Sequence, residues 1–217
     1  TGACIRGVPN EISELYSMNF LELFKNNITH WFTQNFDGTD ECIPIPLGID
    51  YHTLQRGVHY WGNQATVVEQ EEKLKNFYSE FETKKEKTFS CFHFQKFERH
   101  NRDRYKAIEH LSNVKFNDVL KSPINRNSLW KLMSSYKFII SPHGNGLDCH
   151  RTYESMLLGS IPIVRSSTLD SLYKDMPIII LENWEDLTEE TLSNYVYSGS
   201  LEKLNLKYWV EMIKNAV

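Results

Sequence analysis

The chain has 217 residues, 41% hydrophobic and 24% charged, which is the ordinary range for a soluble globular domain. A net charge of −4 and a pI near 6.1 exclude a protein that coats nucleic acid through its phosphates, but not a local basic pocket for one diphosphate. The longest apolar runs, such as Phe138-Ile139-Ile140 and Ile178–Leu181, fall far short of the roughly 20 residues of a membrane span.

No signal peptide is visible. Thr1 stands where an initiator Met is usual, so a preceding segment is expected, and any anchor or address would lie there. Asn10–Phe24 reads as a helix. Ile28–Asn35 reads as a strand running into a turn at Phe36-Asp37-Gly38. Cys42–Leu47 reads as extended, because its two prolines forbid helix and disfavour a central strand. Gln64–Lys87 is mostly charged and reads as helical.

From about residue 88 strands and helices alternate. Thr88–Phe94 is a strand by its aromatic and β-branched content. Arg102–Leu111 carries Tyr105, Ile108 and Leu111 at helical spacing. Val114–Phe116 is a short strand. Asn127 or Ser128 caps the next helix, with Leu129, Trp130, Leu132 and Met133 on its apolar face. Tyr136–Ser141 is a strand, Cys149–Leu158 a helix ended by Gly159, and Ile161–Val164 a strand. A short helix over Thr168–Lys174 leads to Pro177–Leu181, an apolar strand suited to a sheet covered on both faces. A helix from Trp184 and an amphipathic helix over Leu204–Ala216 complete the chain. This alternation implies crossovers, a mainly parallel sheet, and ligands at the carboxyl ends of its strands.

Cys4, Cys42, Cys91 and Cys149 form no C-x-x-C pair and read as free, mostly buried thiols. One sequon, Asn27-Ile28-Thr29, is too short a pattern to assign secretion.

The chemistry concentrates in Ser141–Arg165 (SPHGNGLDCHRTYESMLLGSIPIVR). A diphosphate needs backbone N–H groups, a helix N-terminus and cations, and a ribose diol suits a carboxylate. The loop His143-Gly144-Asn145-Gly146 lets the backbone approach a ligand. A helix then starts, with Arg151 in its first turn and Glu154 three residues on, both on one face. The plainer alternatives are a Glu154 carboxylate paired with Arg151 on a helix surface, and Asp148 or His150 as a helix cap. A second basic cluster, Lys96, Arg99, His100, Arg102 and Arg104, follows the first strand of the domain on the same rim. Arg99 and Arg104 are its candidate phosphate ligands; a solvated charged loop is the alternative.

Phe138–Arg165 resembles the exostosin-type glycosyltransferases (glycosyltransferase family 47) and their GT-B relatives. Ser141, Pro142, Gly144, Gly146, Arg151, Glu154, Gly159, Ile161 and Pro162 carry the likeness. The resemblance implies a nucleotide-sugar donor, with a UDP-sugar expected, a ribose held by Glu154, and phosphates held by Arg151 and the loop amides. It further implies transfer to an oligosaccharide or glycoprotein acceptor without an obligatory metal or other cofactor. Many relatives have Arg at the place of His143 and Ser near Asp148, so His143 is expected on a phosphate or on the transferred sugar.

The fold class expected is α/β with a Rossmann-like parallel sheet, the donor-binding C-terminal domain of a GT-B enzyme. Residues 1–45 read as a partial acceptor-side N-terminal domain, 46–87 as a crossover and linker helix region, and 88–217 as the nucleotide-sugar-binding domain. Two full domains would need about 300 residues, so a truncated or reduced enzyme is expected. The D-x-D tripeptide of metal-dependent GT-A enzymes is absent. Asp37, Asp50 and His52 are the candidate catalytic bases. A non-catalytic nucleotide-sugar or glycan-binding module is the alternative. A nucleotide-sugar epimerase or NAD enzyme is disfavoured, because G-x-G-x-x-G is missing.

Overall fold

The computed structural model describes residues 22, 26–39, 42–57, 61–93 and 102–216. The helix expected over Asn10–Phe24, apart from Glu22, lies outside these residues, as do Cys4 and Lys96, Arg99 and His100 of the basic cluster.

Two short strands, β1 (Trp31–Thr33) and β2 (Cys42–Pro44), pair in parallel near the start of the described chain. The rest is a Rossmann-like α/β unit. Its strands are β3 (Lys85–Ser90), β4 (Asn117–Val119), β5 (Tyr136–Ile140), β6 (Ile161–Arg165) and β7 (Ile179–Leu181). All pair in parallel, in the order β4-β3-β5-β6-β7. The helices are α1 (Tyr51–Gln55), α2 (Val67–Phe77), α3 (Asp103–Leu111), α4 (Arg126–Met133), α5 (His150–Leu157), α6 (Asp170–Tyr173), α7 (Glu189–Ser193) and α8 (Leu206–Ala216). No described helix is long and apolar enough to cross a membrane.

Strand β3 begins three residues earlier than its apolar content suggests. Its charged first half is held by neighbours across the sheet: Lys87 Nζ lies 2.7 Å from Asp118 Oδ1, Lys137 bonds Glu86, and Lys85 Nζ stands 4.6 Å from the Tyr136 ring centre. Strand β4 falls on Asn117–Val119, not on Val114–Phe116. Buried Asn117 explains this: its Oδ1 accepts from the Thr88 and Ser90 hydroxyls at 2.8 and 3.0 Å, and its Nδ2 donates to the Leu111 carbonyl at 3.0 Å. The cap of α4 is Asn125, which accepts from Ser128 N at 2.9 Å. Strand β7 is one of the two edges of the sheet, and Ile180 is exposed, so the expectation of cover on both faces does not hold there.

Alternate residues of the strands feed opposite faces, as the pleat requires. Phe138, Ile140, Ile161 and Ile163 pack on Ala107 and Leu111 of α3 and on Trp184. Phe89, Cys91 and Ile139 pack on Trp130 and Met133 of α4, Leu158 after α5 and Leu74 of α2. Helix α5 ends as its sequence suggests. Gly159 adopts φ +76° and Ser160 N donates to the Ser155 carbonyl at 2.9 Å, closing the helix with a left-handed residue that favours glycine.

The chain leaves β3 for β4 on one side and crosses back to β5 on the other. The connections on the two sides lie on opposite faces of the sheet. A crevice must therefore open beyond the carboxyl ends of β3 and β5.

Candidate functional site

A cavity of about 270 Å³ occupies that crevice. Its wall comes from both strand ends. Cys91 and His93 follow β3, Gly144, Asn145 and Gly146 follow β5, and Arg151 and Glu154 project from α5. Arg104 of α3 and Arg126 of α4 close the sides, and Asn35, Leu47, Asp50 and Trp61 reach in from the N-terminal segment.

Arg104 spans the two strand ends. Its Nε donates to the His143 carbonyl at 3.2 Å and its Nη1 to the His93 carbonyl. Arg151 stands in the same wall, 5.7 Å from the Phe92 ring centre, and its Nη1 is buried with no hydrogen-bond partner. Among the described residues neither arginine is hydrogen-bonded to a carboxylate. The positive field registers on the neighbours. Burial and then the Arg151 charge pull the Arg104 guanidinium below its usual value. Burial, Arg151 and Arg104 likewise lower His93, so its imidazole favours the neutral form.

The glycines of the loop serve as space for protein side chains. A methyl group on Gly144 would stand 2.5 Å from Arg104 Nη2, and one on Gly146 would stand 2.3 Å from Asn35 Oδ1. That same Asn35 oxygen accepts from Asp148 N at 2.9 Å, with Asn35 itself in the left-handed region at φ +50°.

Asp148 is not a helix cap: Cys149 holds that position without a side-chain capping bond. The buried Asp148 carboxylate accepts four bonds instead. They come from Leu47 N at 2.8 Å, Cys149 N at 2.8 Å, Tyr153 Oη at 2.5 Å and Tyr173 Oη at 3.0 Å. Burial pushes its carboxyl up, and these donors oppose the shift. His150 Nδ1 lies 2.6 Å from the Gly48 carbonyl. The segment 47–50 is thus strapped to the start of α5.

Glu154 is buried and does not form the surface pair with Arg151. Its partner is Arg126, whose Nη1 donates to Glu154 Oε1 at 2.8 Å while Nη2 donates to Asp50 Oδ2 at 2.8 Å. Asp50 also caps α1 by accepting from Thr53 N at 3.1 Å and faces His52 Nδ1 at 2.8 Å. Burial acts to raise the Asp50 carboxyl, but the Thr53 bonds and the Arg126 charge prevail and hold it below the usual carboxylate range.

The chain matches no family model and no curated protein.

What the site can do follows from its geometry. The cavity brings together Arg104, Gly144, Asn145, Gly146, Arg151, Glu154 and Asp50 of the expected set. His143 is not on its wall: its Nε2 lies 3.3 Å from the Arg165 carbonyl and its backbone N donates to Asp103 Oδ2 at 2.9 Å. Asp37 is not on the wall either; it accepts two bonds from Thr39, at 2.6 and 3.1 Å. His52 is exposed beside the cavity, its ring centre 6.3 Å from that of His150. Arg99 lies outside the described residues. Sequence reasoning missed Arg126, Asn35 and Trp61. Arg126 did leave a signal, since it opens a helix after a parallel strand and so stands on the rim where ligands bind. No group of three or more described His, Cys, Asp or Glu residues could hold a metal ion.

Proposed function

We propose that this cavity holds the nucleoside diphosphate of a sugar donor, and that the chain is the donor-side part of a GT-B glycosyltransferase acting without an obligatory metal. One observation carries the reading. Two arginines meet at the switch point of a parallel sheet, and one of them has a buried, unpartnered guanidinium nitrogen. A buried donor without a partner is costly, and an anion supplied by a ligand satisfies it. A carboxylate, Glu154, lines the same cavity and suits a ribose diol.

In transfer the departing diphosphate gains negative charge. Arg104 and Arg151, already in place, stabilise that charge in a half-buried site. Among the three candidate bases, Asp50 is committed to Arg126 and to the α1 cap, and Asp37 to Thr39. His52 is the best arranged: Asp50 Oδ1 faces its Nδ1, which leaves Nε2 to take a proton from an incoming hydroxyl.

The test is a thermal-shift series with UDP, GDP and their sugars, followed by a donor-hydrolysis assay. A ligand present at about 100 times its Kd stabilises the folded state by roughly 2.7 kcal/mol, which is easily read as a higher Tm. A shift with a diphosphate nucleotide and slow release of sugar support the reading. A shift without turnover marks a binding module. No shift with any nucleotide overturns the proposal.

A further inference from the structure

We infer that Arg126 is a positioning residue for the ribose end of the cavity, holding the Glu154 carboxylate in the one orientation that receives two sugar hydroxyls. The inference rests on the nucleotide reading above and adds the device that makes Glu154 selective.

The Arg126 side chain is only 8% exposed, and each arm of its fork ends on a different carboxylate. The guanidinium carbon also lies 5.4 Å from the Trp61 ring centre and 5.7 Å from that of Trp130. Two carboxylates and two rings fix its plane. Glu154 is bound through Oε1 alone, and Oε2 makes no hydrogen bond among the described residues. The carboxylate is therefore tethered at one oxygen and open at the other, on the wall of the cavity. Without Arg126, Glu154 would be a buried charge with no cation bonded to it, and it would turn toward solvent. Asp50 anchors the far arm, so the strapped segment 47–50 fixes the ribose carboxylate through Arg126.

Calorimetric titration of the wild-type chain, Arg126→Met and Arg126→Lys with UDP and 2′-deoxy-UDP tests this. Wild type should prefer UDP by about 10-fold or more, the size of a hydrogen bond to a charged group. Arg126→Met should lose that preference while its affinity for 2′-deoxy-UDP stays within about two-fold of wild type, because the phosphate contacts are untouched. One ammonium cannot bond both carboxylates as a fork does, so Arg126→Lys should fall between the two. If Arg126→Met does not fold, Arg126→Lys decides. A folded variant that keeps the wild-type preference, or that loses both ligands equally, overturns the positioning role. A wild-type chain that binds neither ligand overturns the nucleotide reading, and the role of Arg126 with it.

Discussion

Arg104 lies against the glycine loop so closely that a methyl group on Gly144 would stand 2.5 Å from its Nη2. The loop and the arginine are one unit: the side chain holds the His143 carbonyl, and the missing Cβ gives it room. Gly144→Ala should displace the flexible end of Arg104 from the cavity wall and weaken UDP binding by about 10-fold, with little loss of stability. Gly146→Ala should behave differently. Its methyl group would meet Asn35 Oδ1 at 2.3 Å, the atom that satisfies Asp148 N, so about 1–3 kcal/mol of stability should go with it. Urea unfolding and calorimetry on both variants separate the two effects.

Asp148 joins Leu47, Cys149, Tyr153 and Tyr173 through one buried carboxylate. Asp148→Ala strands several donors at once, at a cost on the order of 3 kcal/mol or more. Asp148→Asn keeps the shape but cannot accept from all four, and should lie between. A urea midpoint for Asp148→Ala equal to wild type would show that the strap is not held this way.

Lys84 is buried, and its ammonium donates to Ser79 Oγ at 3.0 Å, to the Leu158 carbonyl at 2.8 Å and to the Ser134 carbonyl, tying together the ends of α4 and α5. Burial pushes its pKa down to about 8 despite the charge of Glu80. The unfolded lysine titrates near 10.4, so between about pH 8 and 10 the unfolded chain carries the extra proton. Stability from this group therefore rises with pH through that window. Compared with Lys84→Met, wild type should gain stability from pH 7.5 to 9.5 in denaturant titrations; a flat or falling difference contradicts the shift.

His52→Gln should separate binding from turnover. The side chain lies outside the cavity wall, so UDP affinity should stay within about two-fold, while donor turnover should fall by roughly 100-fold or more. Turnover unchanged in this variant would remove His52 as the base.

The alternation of strands and helices was legible because apolar residues recur at clear periods, and Gly159 marked a helix end through a backbone shape other residues avoid. Charged Lys85–Lys87 and polar Asn117 hid parts of two strands, because cross-strand pairs and buried hydrogen bonds, not hydrophobicity, place them. The loop 143–146, Arg151 and Glu154 could be found as a local pattern. The partner of Glu154 could not, since Arg126 is 28 residues away and its second carboxylate, Asp50, lies 76 residues from Arg126. Nor could the ring of His143, which turns to Arg165 and Asp103. Spacing on one helix suggested Arg151 for Glu154; the buried fork of Arg126, between two carboxylates, takes that place instead.

The most direct measurement is a calorimetric titration of UDP into the wild-type chain and Arg151→Met at two salt concentrations. The unpartnered Arg151 nitrogen should be a phosphate ligand, so wild type should bind UDP, bind uridine far more weakly, and lose affinity as salt rises. Arg151→Met should bind UDP about 10- to 100-fold more weakly, with a reduced salt dependence. Equal affinity for UDP in the two proteins, or no binding by wild type, would contradict a diphosphate site at the β3–β5 crevice.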